Sequence, residues 1–487
     1  MANMISAFLS KDVQSEDIFK ELKIAQNEDY EKHRNKYSVI HIPFNDIEGE
    51  NASYAEYINR IKKRMIKDIK EAYPDIAPGD DNNVADVLVD LFIADNDARF
   101  VFVLDEWDFI FHQSYVSDEE KKKYLVFLRN LLKDRPYVVM AYMTGILPIA
   151  KYSGGSELNM FNEYTMVGAK KYSDYFGFLD HELDELFERY QKKHSEDQML
   201  TREGLKKWYD GYHSRSGNRL YNPRSVALAL EDNNYGNYWT SSGPYDEIYY
   251  YIEKNVAAVR DDLALMVSGI EVAAEVEEYA ATAMNLETKD EIFSAMVVYG
   301  FLSYENGKVY IPNKELMGKF ESLLQKEPAF DYVYQLAKES KRMLEATLHG
   351  DTDTMAEIIE MAHNTEVPLL SYNHEIELTA IVNLVYLAAR NDYRIECEDK
   401  AGTGFVDFIF YPESDMNADC IILELKVDHA PEDAIQQIKD KNYALKFQGK
   451  LGKTPKYKGR ILAVGISYDK ACKKHSCVIG VLEEAKD

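Results

Sequence analysis

The stretch FVDFIFYPESDMNADCIILELKVDHAPEDAIQQIKDKNY, residues 405–443, constrains the chain more than any other. Two apolar runs flank a polar turn, the second run ends in Glu-Leu-Lys, and Pro431 stands where a helix would open. The order predicted is strand, strand, helix. Successive side chains of a strand point to opposite faces, so Glu424 and Lys426 share one face while Leu425 packs on the other. In the first run Val406, Phe408 and Phe410 form an apolar row. Asp407 falls on the opposite row beside aromatics, where a lone carboxylate is costly. Paired as a hairpin, the strands bring Asp407 toward Glu424. Two carboxylates and the Leu425 carbonyl make an oxygen set suited to Mg2+ or Mn2+, and Lys426 beside it can orient water or stabilise charge on a phosphate. The same pattern also occurs as a solvated strand end with a surface ion pair.

At 487 residues the chain is too long for one ordinary core, and two or three domains are expected. No apolar run reaches the ~18 residues of a membrane span, and the first residues lack a signal peptide's basic-then-apolar order. A soluble, cytoplasmic protein with no membrane partner is expected. Cys397, Cys420, Cys472 and Cys477 show no CxxC spacing and are expected as free thiols. The net charge of −27 argues against indiscriminate coating of nucleic acid, which needs cations to neutralise the phosphates. Between residues 439 and 460, however, eight basic residues (Lys439, Lys441, Lys446, Lys450, Lys453, Lys456, Lys458 and Arg460) stand against one acid, Asp440. That segment is either a nucleic-acid contact or a solvated helix and loop. The acidic remainder leaves a protein partner or a homo-oligomer open.

In chain order, residues 1–25 read as a helix whose apolar stripe is Met1, Met4, Ile5, Phe8 and Leu9. A strand over 36–44 follows, then helices over 53–72 and 84–93. The run RFVFVLDEWDFIF then passes straight from Phe100–Leu104 into Asp105 and Glu106, as a strand buried on both faces would. A strand ending in Asp-Glu has the form of a Walker B element, in which the aspartate holds Mg2+ and the glutamate polarises water. Residues 137–145 read as a second buried strand, with Thr144 where a sensor residue would sit. No glycine-rich phosphate loop precedes Asp105, and Gly452-Lys453-Thr454 lacks the upstream glycine at the required spacing. The middle is helical and tyrosine-rich. Residues 288–325 read as a helix, a hairpin turning at Asn306-Gly307, and a helix, which is a winged-helix-like order.

The order Asp407, hairpin, Glu424-x-Lys426, helix resembles the PD-(D/E)XK nuclease superfamily. The resemblance implies Asp407 and Glu424 as metal ligands, Lys426 as the catalytic lysine and Gln437 as the supporting glutamine. It also implies Glu375, in the first turn of the helix over 375–390, as a further acid at the metal. The strands ending at Asp105-Glu106 and Thr144, with SELNMFNEYTM, WYDGYHSRSGNRLYNPRSV and SYNHEIELTAIVNLVYLAARNDY, resemble the AAA-ATPase-like family that commonly carries such a nuclease domain. In that family the phosphate loop lies just before a helix like residues 1–12, so Asp105, Glu106 and Thr144 are implied as an ATP-site remnant. ATP is expected as a cofactor only if the loop is restored, whether it was cut away upstream or lost.

The fold expected is a multidomain α/β protein. Residues 1–165 form a P-loop-ATPase-like parallel α/β module lacking its phosphate loop, and 166–285 a helical lid-like region. Residues 286–367 form a winged-helix-like segment with connector helices, and 368–487 a PD-(D/E)XK domain. The function expected is metal-dependent phosphodiester hydrolysis. The alternatives are a non-catalytic nucleic-acid- or protein-binding regulator, and ATP-driven remodelling, which needs the missing loop.

Overall fold

Three parallel strands, β1 (Ser38–Pro43), β2 (Phe100–Asp105) and β3 (Val138–Met143), form a sheet in the order β1-β2-β3. The structure, a computed structural model, describes the chain apart from residues 47–52, 76–82, 114, 147–157, 169, 242–251, 253–254, 277–287, 362–374, 402–403, 414, 448–456 and 486–487. The described residues divide into two compact units, Met1–Thr165 and Met166–Glu277 with Asn285–Asp487.

In the first unit the apolar run Phe100–Leu104 is the central strand and is buried throughout, as an unbroken run requires. Val101 and Val103 pack against Ala2, Ile5 and Leu9 of helix α1 (Ala2–Leu9), while Phe102 meets Tyr137 with ring centroids 6.2 Å apart. Helices α2 (Tyr54–Ala72), α3 (Val84–Ala94) and α4 (Asp118–Leu132) each begin at a capping side chain. Ser53 accepts from the Glu56 amide, Asn83 accepts from the Ala85 amide, and Ser117 forms a capping box with Glu120.

Two expectations are corrected here. Residues 1–25 are not one helix: α1 stops at Leu9, because Ser10 becomes extended and bridges to Tyr37. Tyr37 donates to the Leu9 carbonyl (2.9 Å) and accepts from the Lys11 amide (2.8 Å), a long-range pairing that overrides local helix propensity. The stripe is split as well, with Met1 and Met4 exposed and Phe8 packed on Phe19 and Tyr30. The strand over 138–143 is not buried: Val139 is 48% and Met140 42% exposed, because β3 is the last strand of the sheet among the described residues.

The second unit opens with helices α5 (Asp180–Lys193), α6 (Arg202–Tyr209) and α7 (Pro223–Asp232), which share a core of Leu183, Leu205, Tyr209 and Val226. A short hairpin, β4 (Tyr212–His213) with β5 (Arg219–Leu220), joins α6 to α7. Helix α8 (Val256–Val267), strand β6 (Val272–Ala273) and helix α9 (Lys289–Val298) lead to the hairpin β7 (Ser303–Glu305) and β8 (Lys308–Tyr310). Its turn residues Asn306 and Gly307 both have positive φ (51° and 80°), as a two-residue hairpin loop demands. Helix α10 (Lys314–Lys326) follows, and β6 adds to β8 to complete a small three-stranded sheet.

Helices α11 (Tyr332–Lys338), α12 (Ser340–His349), α13 (Thr352–Met361) and α14 (Glu375–Val385) precede a five-stranded mixed sheet. Its strands are β9 (Tyr393–Ala401), β10 (Gly404–Pro412), β11 (Cys420–Val427), β12 (Ile461–Asp469) and β13 (Lys474–Glu483), in the order β13-β12-β11-β10-β9. Only β11 and β12 run parallel, and helix α15 (Pro431–Asp440), with Pro431 in its first turn, makes the crossover between them. Ile409 and Ile422 join Ile435 and Ile438 of α15 in one buried cluster. Phe410 packs on the opposite face against Tyr386, 5.1 Å between ring centroids.

Candidate active site

Strand register brings the two central carboxylates together. Phe408 pairs with Leu423 and Ile409 with Ile422, so one step further along the antiparallel pair sets Asp407 opposite Glu424. Asp407 shares its row with Ile409, and Glu424 shares its row with Ile422, so both side chains point to the α15 face. Asp407 Oδ2 accepts the Leu425 amide at 2.7 Å. Leu425 therefore meets Asp407 through its N–H, and in an extended residue the C=O leaves on that same strand edge.

Gln437, on the second turn of α15, ties the site together. Its Nε2 donates to Glu424 Oε2 (2.9 Å), and its Oε1 accepts from Lys426 Nζ (2.8 Å). Lys426 Nζ also lies 3.6 Å from Glu424 Oε2. Glu424 is 1% exposed, and its second oxygen, Oε1, is buried without a hydrogen-bond partner. Burial first, and then the Asp407 carboxylate, push the Glu424 carboxyl up to about 8, while Lys426 pulls it down. One lysine does not offset two carboxylates placed side by side where one of them is buried. An orphaned carboxylate oxygen with a second carboxylate opposite fits a divalent cation, whose positive charge would remove both penalties. Among the described residues no three His, Cys, Asp or Glu side chains gather as a metal-binding group. Glu375 opens α14, but its side chain lies outside the described residues.

Tyr443 was not singled out by the sequence. It is buried just after α15, its phenol stands beside Gln437, Glu424 and Asp407, and burial pushes its pKa up. The signal that could have found it is an aromatic residue directly following a polar helix end.

The basic segment is only partly described. Lys439, Lys441 and Lys458 are exposed, whereas Arg460 is committed to Asp419 (2.6 Å) and donates to the Leu348 carbonyl (3.0 Å). The Lys446 side chain and Lys450, Lys453 and Lys456 lie outside the described residues, as does Gly452-Lys453-Thr454.

In the first unit, Asp105, Glu106 and Thr144 do converge. Thr144 Oγ1 donates to Asp105 Oδ1 and accepts from the Glu106 amide (3.3 Å), linking the ends of β2 and β3. Glu106 holds φ +52°, and burial, then Asp105, then Asp108, push its carboxyl up. Asp108 was missed by the sequence reading; it is buried and accepts the Ile146 amide at 2.8 Å, which pins the two loops to each other. Its signal was an acid set among Trp107, Phe109, Ile110 and Phe111. Gly145 is required there, since a Cβ would sit 2.4 Å from Trp107 Cδ1.

Two family models match parts of the chain. Residues 1–153 match a family described as a predicted AAA-ATPase, and residues 378–471 match the PD-(D/E)XK nuclease superfamily. A solved structure described as the Walker-type ATPase PABY2304 of Pyrococcus abyssi aligns over 58% of this chain and 83% of its own, at 11% identity and a TM-score of 0.33. No curated protein matches. Among the described residues no helix is long and apolar enough to cross a membrane. The chain therefore joins an AAA-ATPase-like domain at its N-terminal end to a PD-(D/E)XK nuclease superfamily domain toward its C-terminal end.

Proposed function

We propose that the C-terminal domain, taken as residues 368–487, is a divalent-cation-dependent nuclease that hydrolyses phosphodiester bonds. The observation that supports this best is the buried Glu424, with one oxygen orphaned, set against Asp407 and next to Lys426. When bound, Mg2+ or Mn2+ would supply a Lewis acid for the phosphate and its attacking water. Asp407 and Glu424 would hold the ion, and Glu375 would assist. Lys426, fixed by Gln437, keeps an ammonium beside the carboxylates, where it can orient water and offset charge gathering on the phosphate. Exposed Lys439, Lys441 and Lys458 offer cations to the nucleic-acid backbone.

The full chain should cut DNA or RNA with Mg2+ or Mn2+ and stop cutting in EDTA. Asp407→Ala and Lys426→Ala should each slow cutting by roughly a hundredfold or more, the scale of losing a group that stabilises transition-state charge. Unchanged cutting by Asp407→Ala excludes this site. Nucleic-acid binding by the wild type without any cutting favours a non-catalytic regulator.

A second reading concerns the N-terminal domain, and the bond between Asp105 and Thr144 favours it. We propose this pair as the cation end of a nucleotide site whose phosphate loop this sequence lacks. ATP binding should be undetectable with the present chain and measurable once a phosphate loop is supplied in cis; no binding in either form excludes the reading.

A further inference from the structure

The outer edge of β1 is half occupied. Phe44, just past the strand, donates its amide to the Asp105 carbonyl on β2 (3.0 Å), so even-numbered residues turn their N–H and C=O toward β2 and odd-numbered residues turn theirs outward. Tyr37, the first outward residue, is paired with the segment around Ser10. The chain turns away after Lys11, and among the described residues nothing continues that ladder past Val39 and His41. Pro43, the next outward position, has no N–H and closes the free run.

A cleft of about 1190 Å³ lies along this edge, walled by β1, α2 and the Lys11-Asp12 turn. Lys11, Arg60, Lys63, Arg64 and Lys67 line it. Three acids, Asp12, Asp46 and Asp68, stand against these five cations, so the cleft is net positive in a chain of net charge −27. Arg64 pairs with Asp68 at 3.2 Å and Lys67 with Glu71 at 3.7 Å on the exposed face of α2, contacts worth little in water. Lys63 has no ion-pair partner among the described residues. The His41 Nε2 is buried without a hydrogen-bond partner on the same strand.

We propose that β1 takes an extended acidic peptide segment of another protein as an added strand, whose main chain pairs with Val39 and His41 and whose alternate side chains meet the cations of α2. A polyanion such as nucleic acid could satisfy the lysines, but it has no N–H and C=O groups at the strand repeat, so the free ladder favours peptide. The mode predicts specificity for acids at every second position, because strand side chains alternate.

The probe is a fluorescein-labelled peptide of alternating valine and glutamate, about eight residues long, titrated against the full chain by fluorescence polarisation. Saturable binding is expected, weakened at least tenfold by N-methylation of alternate peptide amides and by replacing its glutamates with lysine. Val39→Pro removes an outward N–H, along with some of the side chain packed on Ala2, Val101 and Val103, and should weaken binding similarly. Lys63→Glu with Lys67→Glu, both exposed, should weaken it and flatten its salt dependence. No binding, equal binding of the N-methylated peptide, or tighter competition by oligodeoxythymidylate overturns the proposal; the last would mark a groove for nucleic acid. The N-methylated peptide keeps the test decisive should Val39→Pro fail to fold.

Discussion

Replacing Glu424 by glutamine should stabilise the metal-free protein while removing its proposed activity. The amide side chain keeps the shape and can still accept from Gln437 Nε2, but it carries no charge next to Asp407. The Glu424 carboxyl is pushed from 4.5 to about 8 by burial and by Asp407. Its folded form therefore holds a proton that the unfolded chain releases, so stability is fully present below pH 4.5 and is lost as pH climbs toward about 8. At ~1.36 kcal/mol per tenfold difference in proton affinity, the ceiling on that loss is about 5 kcal/mol. Sharing of the proton with Asp407 brings the expected gain for Glu424→Gln at pH 8 to roughly 1–3 kcal/mol. A domain of this size would then melt roughly 3–10 °C higher. Calorimetry in EDTA at pH 8 and pH 5 checks this: the advantage should be present at pH 8 and shrink at pH 5. Excess Mg2+ should erase it by stabilising the wild type. A variant that melts lower than wild type at pH 8 in EDTA would show that Glu424 is held by its neighbours as a satisfied charge, and the reasoning fails.

Other outcomes follow from single contacts. Gln437→Ala should cut both ties to Glu424 and Lys426 and lower cutting by roughly tenfold or more with little change in substrate affinity, read as a fall in kcat at constant KM. Gly145→Ala should destabilise the first unit by roughly 1–3 kcal/mol in a melting experiment, because the new Cβ meets Trp107 and Asp108 at 2.4 and 2.7 Å. Gly307→Val forces a branched residue to φ +80° and should cost roughly 1–3 kcal/mol by the same measurement. Arg460→Ala should lower the melting temperature through its lost bonds to Asp419 and Leu348, and it should leave nucleic-acid affinity unchanged.

Much of the C-terminal site was legible because its determinants are local. Alternation over 404–412 and 420–427 fixes which side chains share a face, Pro431 fixes the helix start, and one hairpin turn is enough to set Asp407 against Glu424. What escaped depends on distant partners. The end of α1 at Leu9 needs Tyr37, and the exposure of Val139 and Met140 needs the strand order of the sheet. Arg460 looked like one more cation in a basic run until Asp419, 41 residues earlier in sequence, claimed it. Asp108 was hidden by apolar neighbours whose pattern announces core, and Tyr443 by the polar helix end before it, since a buried polar group is recognised only by the partner it finds.

Mn2+ binding followed by electron paramagnetic resonance tests the central claim most directly, because it reads the ion without requiring the right substrate. The full chain should sequester Mn2+, Asp407→Asn and Glu424→Gln should each lose that binding, and Mg2+ should compete for it. Undiminished Mn2+ binding in both variants, or none in the wild type, would contradict the assignment of these two carboxylates as a metal site.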